Sequence, residues 1–139
     1  MPELLRSIHS DGTDAKPLTA ALSAYFRVDA VPLSAIEGID DLSATALIVD
    51  VDLSDAATVK RLLRCLPRRG DLPRAFVVAA ETRSERVQAG VLGANLVFAR
   101  PYDPAAVAAE FDRASRRGRL DADLGRRRVP DGAPGGGSV

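Results

Sequence analysis

The sequence predicts a three-layer α/β domain: five parallel strands in the order 2-1-3-4-5, with helices on both faces of the sheet. Three observations predict it. Short apolar runs alternate with stretches of helical periodicity up to about residue 117. The strongest run, Ala46 to Val49, has no polar alternation, as a strand covered on both faces requires. The chain has 139 residues, 46% of them hydrophobic, which is enough for one sizeable core. Right-handed crossovers between successive parallel strands then give the order.

Each element follows from local chemistry. Leu4 to His9 is a short first strand carrying Arg6 and Ser7. Pro17 suits the first turn of a helix running to about Phe26, with Leu18, Leu22 and Tyr25 on one face. Arg27 to Val31 is a weaker second strand. The segment "LSAIEGIDDLS" after it is short and broken by Gly38, so the second helix should be shortened or replaced by coil. The third strand follows in "ATALIVDVD". Ser54 or Asp55 caps a helix through Leu66, striped by Val59, Leu62, Leu63 and Leu66. Ala75 to Ala79 form the fourth strand, and Thr82 or Ser84 opens a helix ending near Gly93. Asn95 to Ala99 form the fifth strand. Asp103 is an N-cap with Pro104 at the first helical position, and Val107, Phe111 and Ala114 mark the buried face beyond.

Past Gly118 the composition shifts to Arg, Gly and Pro. Residues 118–139 read as a linker or disordered tail that leads to a further domain. Formal net charge is zero, so charge alone implies neither nucleic acid nor an anionic membrane as partner. The arginines after residue 112 are interspersed with Asp112, Asp121 and Asp123 and lack interleaved aromatics, which argues for a solvated helix extension. Cys65 is the only cysteine, which excludes an intrachain disulfide, and it reads as a core or boundary thiol. No segment has the length of a membrane helix and no secretory signal opens the chain, so a reducing cytoplasm is expected. His9 has no ligand partner at metal spacing. "RRGD", Arg68 to Asp71, matches a short RxxD pattern that some cyclic-di-GMP-binding domains use, a match that an Arg-rich chain produces cheaply. No Gly-rich phosphate loop follows a strand.

Four stretches together carry a resemblance: "ALIVDVDLSD", "FVVAAE", "GANLVFARPYDP" and "HSDG". Over residues 3 to about 117 the chain resembles a response-regulator receiver domain, which implies a flavodoxin-like fold. The resemblance places Asp50 at the phosphoacceptor position, Asp11 with Asp50 and Asp52 around a Mg²⁺ ion, and Ala79 and Arg100 at the two switch positions. It also makes Pro101 a candidate for a cis peptide. Carboxylates at strand ends suit a hard cation that brings a phosphodonor to an Asp nucleophile. A hydroxyl and a Lys would then hold the phosphoryl oxygens.

The chain departs from that pattern repeatedly. Ser10-Asp11 supplies one carboxylate where the family has two, Ala79 has no hydroxyl, and Arg100 replaces a Lys. Ser54 replaces a proline, and a glycine expected after it is absent. Arg is not a conservative replacement, because a planar fork is not a compact ammonium. The expectation is a degenerate receiver, not an enzyme and needing no cofactor, that binds partners or dimerises and regulates an attached output domain. Leu92, Phe98, Tyr102, Val107 and Glu110 are the interface candidates, on the face that the family builds from its fourth helix, fifth strand and fifth helix. Arg100 is expected to turn inward onto Asp50 or Asp11. The rival expectation is a working phospho-receiver that uses Mg²⁺ and Asp50.

Overall fold

The computed structural model describes residues 3–39, 46–66, 73–79 and 83–131, with side chains as far as residue 117. Five strands, β1 (Leu4–His9), β2 (Arg27–Pro32), β3 (Ala46–Asp50), β4 (Arg74–Ala79) and β5 (Leu96–Arg100), form one sheet in the order β2-β1-β3-β4-β5. Every pairing is parallel, so the expected topology holds and no hairpin joins the strands. The helices are α1 (Lys16–Leu22), α2 (Ala56–Cys65), α3 (Arg83–Val91) and α4 (Pro104–Asp131). Among the described residues between β2 and β3 there is a 3₁₀ segment, Leu33–Gly38, and no α-helix, in line with the broken pattern there.

Side-chain alternation sorts β3 between two cores. Leu47 and Val49 face a cluster with Ile8, Val31, Phe76 and Val78, covered by Val59 and Leu62 of α2 and Ala89 of α3. Ala46 and Ile48 face the other cluster, with Leu18 and Leu22 of α1 and Val107, Ala108 and Phe111 of α4. Both faces of the central strand are therefore dry, which is why its sequence is an unbroken apolar run.

Three expected helix details are corrected. The first helix stops at Leu22, because Ala24 and Tyr25 donate to Ala21 and Leu22 three residues back. That tighter turn leaves Tyr25 39% exposed and turns Phe26 inward, where its ring meets Phe111 edge-on at 5.6 Å. On α2 the cap is Asp55, which accepts from the Ala57 backbone at 3.2 Å and the Thr58 hydroxyl at 2.9 Å. The buried stripe of α2 includes Thr58, Val59 and Leu62; Leu63, one residue past it, is 50% exposed. On α4, Ala108 and Ser115 join Val107 and Phe111 in the core, and Ala114 is only half-buried.

Helix α3 ends as its sequence suggests. Gly93 takes a left-handed φ of 90°, Gly93 N–H donates to Gly90 and Ala94 N–H to Ala89, the paired bonds of a Schellman turn. Thr82, the other candidate start of α3, lies outside the described residues. The backbone of α4 stays helical past residue 117 to Asp131, so helix follows where a linker or tail was expected; residues 132–139 lie outside the described set. Arg, Leu and Ala, all good helix formers, dominate residues 119–128 and favour the continuation. Among the described residues no helix is long and apolar enough to cross a membrane.

Candidate functional site

The candidate residues gather at the carboxyl edge of the sheet, where open parallel sheets present their ligand crevices. Asp50 is the last residue of β3, in register with His9 of β1 and Val77 of β4. Ser10 N–H donates to the Asp50 carbonyl at 3.2 Å, which ties the two strand ends together. Arg100 is the last residue of β5, in register with Ala79 of β4. Because β4 lies between β3 and β5, the Arg100 side chain must span two strand spacings, about 10 Å. Only a long side chain makes that reach, and the Arg100–Pro101 peptide that follows is cis.

The guanidinium ends on Asp50. Arg100 Nε and Nη2 donate to Asp50 Oδ1 at 3.1 and 2.8 Å, and Nη2 also donates to the Val51 carbonyl at 2.8 Å. Both nitrogens converge on one oxygen, so the contact is not a two-oxygen fork. Oδ2 is left for Tyr102, whose hydroxyl donates to it at 3.1 Å. The Asp50 side chain is 12% exposed and that of Arg100 34%. A carboxylate this far from water needs such partners, and charge-assisted hydrogen bonds are the strongest kind on offer. On the other side of Arg100, Nη1 lies 4.0 Å from Glu85 Oε1, and Glu85 is buried. Glu85 Oε1 also accepts from Ala79 N–H at 3.4 Å. The cation therefore sits between two carboxylates, one from the end of β3 and one from α3. Burial first, and then the Asp50 charge, push the Tyr102 phenol up to about 12.

The other acidic candidates do not join Asp50. Asp11 is exposed and accepts from Ser34 N–H at 3.0 Å; that backbone bond, followed by the Ser34 hydroxyl, holds its carboxyl below the usual range. Asp52 is exposed and turns to Ser54, accepting from its hydroxyl at 2.5 Å and its N–H at 2.9 Å, which lowers its pKa too. Of the two partners expected for Arg100, Asp50 is the one it meets. Among the described residues no three His, Cys, Asp or Glu side chains group to hold a metal. With the carboxylates divergent and a guanidinium already on Asp50, the residues present do not fit a divalent cation. His9 Nδ1 lies 3.0 Å from the Ser10 carbonyl, and the "RRGD" stretch lies outside the described residues.

The interface candidates divide. Leu92 is 3% exposed and belongs to the core on the α2–α3 side, so it is not a surface residue; it ends α3 on the turn that docks the helix. Val107 is likewise a core residue, because α4 is rotated to bury it beside Phe111. Phe98, Tyr102 and Glu110 do share a surface. With Ala99, Asp103, Ala106 and the edge of Val107 they line a groove of about 210 Å³ between β5 and α4. Sequence reasoning missed one member of the crevice, Glu85, and the role of another, Tyr102, which it named only as an interface candidate. Glu85 is an ordinary helix-start acid by pattern, and nothing local shows that it points into the sheet edge. Tyr102 was legible as an aromatic after Arg-Pro, but the target of its hydroxyl was not.

No protein-family model matches the chain, and no characterised sequence is close enough to count as a relative. Solved structures do resemble it. The response regulator DrrB of Thermotoga maritima, an OmpR/PhoB homologue, superposes with a TM-score of 0.66 at 18% identity, over 84% of this chain and 54% of that one. This chain thus spans about half the length of DrrB. A CheY-like response-regulator receiver domain protein from Methanospirillum hungatei gives 0.65 at 13% identity, over 87% and 99% of the two chains. A putative pilus assembly protein, CpaE, from Burkholderia thailandensis gives 0.60 at 18% identity, over 85% and 98%. At these identities the likeness is one of fold, and the fold is that of CheY-like receivers.

Proposed function

We propose that the chain is a degenerate receiver domain of a bacterial signal-transduction protein, working in the cytoplasm as a phosphorylation-independent interaction or dimerisation module for an attached output domain. The observation that carries this reading is the occupied crevice. Both oxygens of Asp50 are taken, Oδ1 by Arg100 and Oδ2 by Tyr102, at the position where the receiver resemblance puts the phosphoacceptor. A carboxylate oxygen that accepts two N–H bonds from a cation is a poor nucleophile toward a phosphodonor. Ala79 offers no hydroxyl to a phosphoryl group, and the acids that would hold Mg²⁺ are turned to Ser34 and Ser54.

With its crevice tied shut, the domain presents one surface and does not alternate between two. The surface best placed for a partner is built by α3, β5 and α4. It carries the exposed Val87 and Val91, the edge strand β5 and the groove floored by Phe98 and Tyr102. A second copy of the chain, or a protein of similar apolar character, is the proposed occupant.

Incubation with acetyl phosphate and Mg²⁺, followed by intact-mass measurement, tests the reading. No stable phosphoprotein is expected. A gain of one phosphoryl group, abolished by Asp50→Asn, would establish the working phospho-receiver instead. Light scattering across a concentration series, with Val91→Asp as the disrupting variant, tests the surface.

A further inference from the structure

Two carboxylates approach the Arg100 guanidinium by different nitrogens. Asp50 Oδ1 accepts from Nε and Nη2 at 3.1 and 2.8 Å, and the Val51 carbonyl accepts from Nη2 at 2.8 Å. Glu85 Oε1 lies 4.0 Å from Nη1. The acids lie deeper than the cation: the Asp50 and Glu85 side chains are 12% and 5% exposed, and that of Arg100 is 34% exposed. Neighbours hold both acids in place. The Tyr102 hydroxyl on Oδ2 fixes the rotation of the Asp50 carboxylate, and Ala79 N–H donates to Glu85 Oε1 at 3.4 Å. Three acceptor oxygens thus surround one cation, each backed by the fold, and the cation is the part that meets solvent.

We propose that Asp50 Oδ1, the Val51 carbonyl and Glu85 Oε1 form a guanidinium-binding slot, selective for a planar cation over a compact one, which Arg100 fills in the native chain. The seated side chain is what points to this ligand class. An ammonium carries all its donors on one nitrogen, so it can serve Oδ1 and the Val51 carbonyl but does not extend to Glu85. A guanidinium spreads its donors over three nitrogens and is more weakly hydrated, so it loses less on leaving water. Because the acceptors are held by Tyr102 and the β4 backbone, the slot should outlast the side chain that fills it and take the same cation from solution. The proposal rests on the occupied crevice described under the proposed function and names the ligand class of that crevice.

Arg100→Ala removes the side chain beyond Cβ, and ethylguanidinium supplies the missing atoms without the covalent link. Calorimetry of the full chain with ethylguanidinium chloride, against ethylammonium chloride at equal concentration, reads the slot. The expected result is a saturable rise in the Tm of Arg100→Ala that recovers at least about half of the loss, with ethylammonium giving no more than about a third of that rise. The native chain, its slot filled, should respond equally to the two salts. Asp50→Asn in the Arg100→Ala background should abolish the recovery, and Glu85→Gln should weaken it. Equal rises from the two cations, a selective rise in the native chain, or recovery that survives Asp50→Asn would overturn the slot. Should Arg100→Ala fail to fold, Arg100→Ser opens the same space for the same titration, and no recovery there is equally fatal. The acetyl phosphate assay on the native chain separates this from the reading beneath it. Recovery together with a phosphoryl gain keeps the slot and sinks the degenerate receiver; neither recovery nor phosphoryl gain does the reverse.

Discussion

Arg100 and Tyr102 act on the same carboxylate by different physics, and their loss should read differently. Arg100→Ala leaves Asp50 partly buried with its main charge partner gone. Because Arg100 is a third exposed, water softens the penalty, and a loss of about 1–2 kcal/mol in urea unfolding at neutral pH is expected. Arg100→Lys should recover only part of it, since an ammonium has no Nε and Nη2 pair to place on Oδ1. Tyr102→Phe removes one hydrogen bond and should cost about 0.5–1.5 kcal/mol by the same measurement. Tyr102 also carries a pH signature. Its folded pKa, about 12, lies above the 10.0 of an ordinary phenol, so the unfolded chain loses this proton first as pH rises. The stabilising effect of keeping Tyr102 neutral is thus complete below pH 10 and lost between 10 and 12. Unfolding midpoints at pH 9 and pH 11 should fall further apart in the native chain than in Tyr102→Phe; equal gaps would refute this.

At the scale of elements, the docking of α1 on α4 depends on the aromatic pair Phe26 and Phe111. Phe111 is fully buried and Phe26 nearly so, and their rings meet edge to face at 5.6 Å. Phe111→Ala should cost about 3–5 kcal/mol, the usual loss for an aromatic removed from a packed core, and calorimetry would show it as a large fall in Tm. The 3₁₀ segment between β2 and β3 illustrates a different balance. It buries one large apolar side chain, Ile36, and is held from outside by Arg61 of α2, which donates to the Ser34 carbonyl at 3.2 Å and pairs with Glu37. Asp11 secures the same segment from the β1 side through Ser34 N–H. A residue that the receiver pattern assigns to a metal is thereby employed in holding a shortened connection. Asp11→Ala should accordingly perturb amide exchange around Ser34 and leave Mg²⁺ binding unchanged.

For the molecule as a whole, the fold is that of receivers, and at the carboxyl edge of its sheet the chain's own side chains pair with one another. The carboxyl edge holds Asp50, Glu85, Arg100 and Tyr102 in one connected set, drawn from β3, α3, β5 and the loop after it. A titration with Mg²⁺ followed by tyrosine fluorescence should show no saturable change at millimolar concentrations in the native chain. Arg100→Ala, by freeing Asp50 Oδ1, should show tighter binding than the native chain; equal affinity in the two would mean that the guanidinium does not guard the site.

By itself the sequence determined the class, the topology and most element positions of this domain. Apolar runs of strand length, helical periodicity and the caps at Asp103 and Gly93 are local signals, and local signals survive without a partner. It also placed Asp50 and Arg100 at one edge, because parallel strands in a known order bring their carboxyl ends together. Only the tertiary structure decided where the side chains at that edge point. Asp11 and Asp52 turned aside because Ser34 and Ser54 offered N–H and hydroxyl donors close by. Tyr102 reached Asp50 and Leu92 and Val107 sank into the cores because helix rotation and strand spacing set those distances. Neither quantity is written in any short stretch of chain. Direction is a property of the packed whole, whereas periodicity belongs to each element alone.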